Sequence, residues 1–383
     1  MAALPVLLLI VCIVLPASAI ANTAEAAWQH YYRQSEHTRQ HDDTVLAAEL
    51  VQLEQQTAAK PAASRRFGFD TDAPPSWYQT AAGKALLSSM LSLQTPSGGW
   101  SKRTDMSQPR QPGQHFGVEP AYVPTFDNSA TTTQLQVLAR AYTATGNPDY
   151  AAAFYRGLQL VFQAQYPNGG WPQTYPLRGG YHDHITLNDG VMADILNLLL
   201  DISQQTTDFA FVSENIRQQA RQHFAAGVAL LLQLQVNTGD RLTIWAGQYH
   251  HRTLAPAAAR AYEMVALASA ESAAITELLM RIAKPEPAIA NAVTQAANWF
   301  LQNQLANLYW HPVDRVLVAK PGSHRIWPRF AEIGSNKALF ADRDGRILYD
   351  VHQVSLERRQ GYAWYTATPE QTLQLYQQWQ TAH

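Results

Sequence analysis

Four apolar stretches of this 383-residue chain end in the same way, at a nearly constant interval. Segments 86–94, 158–165, 229–235 and 297–304 finish on Gln94, Gln165, Gln235 and Gln304, and each leads through a polar loop to a tryptophan: Trp100, Trp171, Trp245 and Trp310. The glutamines stand 71, 70 and 69 residues apart. A fixed period of this kind marks a repeat architecture and restricts the fold more than any single motif does. Between these segments lie further stretches, 131–145, 191–205 and 259–283, with 368–380 closing the chain. Their apolar residues recur at three- and four-residue spacing, as in Leu135, Leu138, Ala139 and Tyr142, which predicts helices. The repeating unit is therefore a helix pair. Strand signals are scarce, although 315–318 and 346–349 are expected to form a short hairpin. Helix pairs repeated around an axis give an α/α toroid, and polar loops at matching ends favour a closed ring with a cleft on one face. The expected fold is all-α.

The front of the chain reads differently. Residues 1–16 are apolar but short for a membrane span, and Ala17-Ser18-Ala19 follows as a small-residue cleavage signature. Residues 1–19 are expected to be a signal peptide, which puts the protein in the periplasm or outside the cell. The only cysteine, Cys12, lies inside this segment, so the mature chain would carry no disulfide. After cleavage no stretch is apolar enough for a bilayer. Residues 20–383 are expected to form one domain. Within it, 28–66 read as a long polar amphipathic helix packed across the core, and Ala73-Pro74-Pro75-Ser76 as a break before the first repeat. A formal charge of −2 advertises no nucleic-acid surface. A monomer is expected.

Chemistry concentrates in a few loops. The stretch 179–190 holds His182, Asp183, His184, Asn188 and Asp189 just before a helical run, and 125–130 holds Asp127 and Asn128 before another. Asp and Asn are common helix caps, and each pair alone reads as one. Both pairs nevertheless open helices at corresponding points of adjacent repeats, which favours a shared site for a hard cation with oxygen ligands. His182 and His184, two residues apart in a loop, lack zinc-ligand spacing and read as substrate contacts or structural histidines. Lys102 follows the first Gly-Gly-Trp loop, where a cation can meet a substrate carboxylate. Arg260 lies in an alanine-rich stretch, and its bland reading is a surface pair with Glu263 three residues on. Arg329 and Arg343 add guanidinium forks suited to carboxylates. The set points to an enzyme acting on an anionic substrate.

In order along the chain, the segments Gly98-Gly99-Trp100-Ser101-Lys102, Thr125-Phe126-Asp127-Asn128-Ser129-Ala130-Thr131, Asn168-Gly169-Gly170-Trp171-Pro172-Gln173, His184-Ile185-Thr186-Leu187-Asn188-Asp189-Gly190, Ala259-Arg260-Ala261-Tyr262-Glu263 and Arg329-Phe330 through Asp342-Arg343-Asp344-Gly345 resemble polysaccharide lyase family 10, the pectate lyases with an (α/α)3 toroid. The resemblance implies β-elimination on polygalacturonate or pectin oligosaccharides. It implies Arg260 as the base, Ca2+ held by Asp127 and Asp189, and Lys102, Asn128, Arg329 and Arg343 at the substrate. Proton removal next to a carboxylate builds an enolate-like dianion, so fixed positive charge favours the transition state over the ground state. Two other readings share the fold or the charge. An inverting glycoside hydrolase would need only a separated carboxylate pair. A non-catalytic uronate-binding protein would need only the cationic pocket.

Overall fold

A computed structural model describes residues 17–239 and 241–382, with side chains from residue 23 onward. The expected signal peptide, 1–19, therefore lies almost wholly outside the described residues. Among these residues the helices in chain order are α1 (Ala17–Gln52), α2 (Ala81–Ser92), α3 (Thr132–Thr145), α4 (Pro148–Ala164), α5 (Val191–Ser203), α6 (Glu214–Leu234), α7 (Ser269–Met280), α8 (Pro287–Gln302), α9 (Leu356–Gly361) and α10 (Thr368–Ala382). They form the expected toroid. The second helix of each pair lies inside: α3, α5, α7 and α10 pack in series, with α2, α4, α6 and α8 outside them. Sequence explains the division. Helix α5 buries Val191, Met192, Ala193, Ile195, Leu196, Leu198, Leu199, Leu200 and Ile202, apolar almost all round as a central helix must be. Helix α8 buries one face only and keeps polar residues on the other.

The glutamines fasten the outer layer. Gln94 Nε2 donates to the Gly98 carbonyl of its own loop (2.7 Å) and to Ala153 in α4 (2.9 Å). Gln165 does the same to Gly169 (2.9 Å) and to His223 in α6 (2.9 Å), and Gln235 to Thr243 (2.9 Å) and to Ala292 in α8 (3.0 Å). One carboxamide thus ties a helix end, the loop after it and the next outer helix. The loop approaches that helix so closely that only glycine fits: a Cβ on Gly98 would lie 2.5 Å from the Arg156 carbonyl, and one on Gly169 2.4 Å from Ala226. Each indole then closes over the helix it follows. Trp100, Trp171 and Trp245 donate to the carbonyls of Met90, Val161 and Leu231, always four residues before the glutamine.

The fourth repeat departs from expectation. The tryptophan that reaches back to Phe300, four residues before Gln304, is Trp327 and not Trp310. A hairpin pairing Leu308–Trp310 with Leu317–Ala319 is inserted between helix end and indole. Gln304 donates only to the nearby Leu301 carbonyl and accepts from Arg325 (3.1 Å), and among the described residues no further outer helix follows for it to strap. The hairpin expected between 315–318 and 346–349 does not form either. Ile347–Leu348 pairs instead with Ala338–Ala341, which also pairs with Phe330–Ala331. Two helices are shorter than their sequence pattern. Helix α1 ends at Gln52, after which Glu54 turns left-handed (φ 55°) and the chain bridges to Gln114 and Thr104. Residues 259–268 are loop and strand, and helix starts only at Ser269, because Glu263 bonds back to the Arg260 amide and side chain and holds a turn against the helical tendency of the alanines.

Helix α1 crosses the ring as the sequence suggests. Trp28 and Tyr31 are buried against Tyr166, with Tyr31 Oη donating to the Ala164 carbonyl (2.9 Å). Asp42 accepts from the Ser97 amide (2.8 Å) and hydroxyl (2.6 Å).

The strap gives a direct test. Gln235→Ala removes two buried hydrogen bonds and leaves the Thr243 and Ala292 carbonyls short of a donor. The expected loss is about 2–4 kcal/mol of unfolding free energy. Gln304→Ala should cost less, about 1 kcal/mol, since the Leu301 and Arg325 bonds it removes are not buried and both partners can turn to water. Denaturant unfolding of both variants checks this, and equal losses would refute the strap.

Candidate active site

The turns leading into α3 and α5 pack against one another and bring two helix N-termini to one cleft. Each is a single 3-10 turn, Asp127–Ser129 and Asn188–Gly190, and in each the middle residue is left-handed: Asn128 at φ 53°, ψ 42° and Asp189 at φ 51°, ψ 29°. Asn and Asp tolerate that region better than other non-glycine residues. Asp127 therefore corresponds to Asn188, and Asn128 to Asp189, with carboxylate and carboxamide exchanged between the repeats. None of the four side chains caps α3 or α5. The capping reading fails, and the polar groups are left for the cleft.

The cavity here measures about 400 Å3. Lys102, Asp127, Asn128, Asp189, Arg260 and Arg329 all line it. Asp127 is buried and fully engaged: one oxygen accepts from Lys102, the other from Asn128 Nδ2 at 2.6 Å. Lys102 also lies 3.7 Å from Glu119 and 5.8 Å above the Tyr122 ring. Across the cleft Arg329 reaches Glu271 at 2.5 Å and Asp189 at 3.7 Å, its guanidinium 4.9 Å over the Tyr362 ring. Burial opposes its charge, but Glu271, Tyr362, Asp189 and Glu263 hold its pKa above the ordinary value.

Arg260 is where the bland and functional readings meet. It does pair with Glu263, through Nε at 2.7 Å and Nη2 at 2.5 Å, but Glu263 is buried and the pair faces the cavity. Glu263 also accepts from Tyr362 Oη (2.9 Å). Nη1 is the guanidinium nitrogen left without a partner among the described residues. Burial disfavours the Arg260 charge, and Glu263 with Tyr262 and Tyr362 more than restores it, raising its pKa.

Arg343 stands apart from this group. It lies on the exposed 342–345 turn beside Ala261, outside the cavity lining, and both nitrogens of its fork are taken by Glu357 at 3.0 and 2.9 Å. His182 lines the cavity and shares its Nδ1 with Gln173 Oε1 at 2.5 Å. Burial, then the Lys102 charge, pulls its pKa down to about 4, so it is neutral at ordinary pH. His184 does not reach the lining. Among the described residues no three His, Cys, Asp or Glu side chains form a metal cage.

Comparison with known proteins supplies the family. The family model for pectic acid lyase matches residues 94–373. The family 10 polysaccharide lyase from Cellvibrio cellulosa is 31% identical over 82% of this chain and 98% of its own, with a TM-score of 0.71. A mutant of that enzyme in complex with trigalacturonic acid gives 31% identity, 81% and 98% coverage, and 0.72. The chain belongs to polysaccharide lyase family 10. No curated protein matches it significantly.

The assignment makes this protein a polysaccharide lyase, which decides against the hydrolase and the pure binding protein. Among the described residues of this lyase no helix is long and apolar enough to cross a membrane. Sequence reasoning missed several groups at the site. Glu119 lines the cavity from a loop without a motif, Gln173 and Tyr181 line it from segments singled out for other residues, and Tyr362 joins Arg260 and Arg329 from farther down the chain. Glu271 carries no spacing signal, but its place in the first turn of α7 sets it against Arg329.

Charge is balanced inside the cleft. Lys102, Arg103, Arg260 and Arg329 face Glu119, Asp127, Asp189 and Glu263. The cost falls on Asp189. Burial, then the facing Asp127, pushes its pKa up to about 6, against the pull of Arg329 and with Glu271 and Glu263 adding to the rise. A carboxyl raised in the fold above its unfolded value of about 3.9 is favoured when protonated. Its stability penalty appears as pH climbs from about 4 through about 6 and is complete above that. In chelator-treated protein Asp189→Asn should therefore melt higher than the parent near pH 8 and alongside it near pH 4. A pH-independent difference in melting temperature would remove this account.

Proposed function

We propose that this lyase cleaves polygalacturonate by β-elimination, with Arg260 taking the C5 proton and calcium held by Asp127 and Asp189. The substrate class is suggested by the trigalacturonic acid complex of the Cellvibrio enzyme. The observation that carries the reading is the charge count of the cleft. Four cations matched by four carboxylates leave no net attraction for a polyanion, and a divalent cation is what would tip that balance.

The residues fit such an ion. Burial and then the facing Asp127 raise the Asp189 pKa, and Asn188 Oδ1 is buried with no partner among the described residues. These are hard oxygen donors, suited to Ca2+ with water and sugar oxygens completing the shell. Bound there, the ion would neutralise the uronate carboxylate and so acidify the neighbouring C5–H.

In the elimination the C5–H and C4–O4 bonds break, a C4=C5 double bond forms, and the leaving oxygen collects a proton from solvent. Lys102 and Arg329 on opposite sides of the cavity orient the sugar carboxylates. Arg260 offers Nη1 to the reacting carbon while Glu263 and Tyr362 fix the other side of its fork. In the free enzyme Glu263 keeps the guanidinium charged. The acceptor form arises only in the filled cleft, where added positive charge opposes Glu263 and lowers the Arg260 pKa. The substrate is an extracellular polymer, in keeping with an exported enzyme.

Incubation with polygalacturonate should produce the ultraviolet absorbance of a 4,5-unsaturated end, lost with chelator and restored by Ca2+. New reducing ends without absorbance would sink elimination, and indifference to chelator would sink the calcium role. Arg260→Ala should lower kcat by about 10^2–10^4 with KM changed only a few-fold. Full turnover in that variant would end its assignment as the base.

A further inference from the structure

We infer that Arg103 reads the carboxylate of a second uronate beside the one at Lys102, so that the cleft selects chains whose neighbouring sugars are both unesterified. The inference rests on the polygalacturonate reading of the same cleft and adds a specificity residue to it. In extended backbone, successive side chains point to opposite faces. Lys102 and Arg103 are consecutive, yet both line the cavity. What breaks the alternation is Arg103 itself, left-handed at φ 56°. A residue with a Cβ is disfavoured there, and arginine has no short polar group to relieve the cost as asparagine does.

Neighbours hold the strained residue in place. The Arg103 carbonyl accepts from the Ser64 amide (2.8 Å), and Thr104 after it is buried and bridges to Ala63. Thr104 Oγ1 also accepts from the Val118 amide (3.2 Å), which ties the Glu119 loop to this turn. The strain delivers what relaxed backbone here would not: two adjacent cations on one wall.

Glu119 shows what such a pair can hold. One of its oxygens lies 3.7 Å from Lys102 Nζ and the other 3.4 Å from Arg103 Nη1, so a single carboxylate stands between the two cations. Both contacts are long for charge-assisted hydrogen bonds. Lys102 has a closer partner in Asp127. Arg103 has no other among the described residues, and its side chain is 60% exposed. Arg260 and Arg329, by contrast, are each held at 2.5 Å by a buried carboxylate. Arg103 is thus the cleft guanidinium with donors to spare, and a uronate carboxylate takes two of them side by side. A methyl ester carries no charge with which to displace Glu119.

Titration calorimetry of Arg260→Ala protein with tetragalacturonate, confirmed intact after each run, tests this. Adding Arg103→Asn should weaken binding about tenfold, the low end for a lost charge-assisted hydrogen bond. Asparagine accepts the left-handed backbone, so the melting temperature should hold. Arg103→Lys keeps the charge without the fork and should fall between the two. Glu119→Gln removes the competing anion and should tighten binding a few-fold; it leaves Arg103 in place and decides the matter if Arg103→Asn melts lower. With Arg260 intact, Arg103→Asn should narrow the preference for polygalacturonate over half-esterified pectin, read as the ratio of kcat/KM. These binding changes without turnover by the parent would support the carboxylate contact and count against elimination. Affinity indifferent to Arg103→Asn, weaker binding in Glu119→Gln, or an unchanged preference between the two polymers would each overturn the proposal.

Discussion

A carboxamide at the end of each outer helix organises this protein. Its nitrogen has two hydrogens, and in Gln94, Gln165 and Gln235 one goes to the local loop and one to a carbonyl inside the next outer helix. That carbonyl already accepts its helical hydrogen bond and uses its second lone pair for the strap. Cross-repeat registry is thereby set by directional bonds, while the apolar faces of the inner helices supply the bulk of the burial. The indoles add the other half of the clasp, closing over the helix one turn before the glutamine. With the loops pinned, the turns ahead of α3 and α5 have nowhere to go except over the inner helix ends, and the cleft follows.

Electrostatics in that cleft are those of a site holding opposed charges close together. Helix N-termini from the inner ring favour anions there, and the protein has filled that field with its own carboxylates. Lys102 is bound to Asp127, Arg260 to Glu263 and Arg329 to Glu271. Each pair fixes a long side chain in a single direction, which prepares the site at the cost of attraction for a polyanion. Asp189 is the weakest member of the balance, facing Asp127 and only grazed by Arg329. It is also where an added cation would gain most.

Much of the architecture could be read from periodicity because helix pairs and straps are local. Gln94 and Gly98 lie four residues apart, so the loop half of the strap is visible in the chain; its partner Ala153 is not. Where local pattern and tertiary demand disagreed, the latter won. Residues 259–268 read as helix until Glu263 bonds back to Arg260, and Trp310 looked equivalent to Trp100 until a hairpin displaced its role to Trp327. The pairing of Asp127 with Asp189 was legible as two acidic helix openings. Their exchange of places was hidden, because it depends on which position of each turn is left-handed.

By itself the sequence determined the repeat, the helix pairs, the loops that carry polar groups and the family these motifs resemble, since all of these depend on contacts within about one turn or one loop. Tertiary structure alone decided which cation faces which anion. Arg260 and Glu263 are neighbours in the chain, yet only the fold makes their pair a cleft feature by burying Glu263 and bringing Tyr362 to it. Arg343 has the same chemistry as Arg329 but meets an exposed Glu357 instead of a buried Glu271. Long side chains choose partners by distance in space, and in a ring of repeats that distance is set by how the layers close.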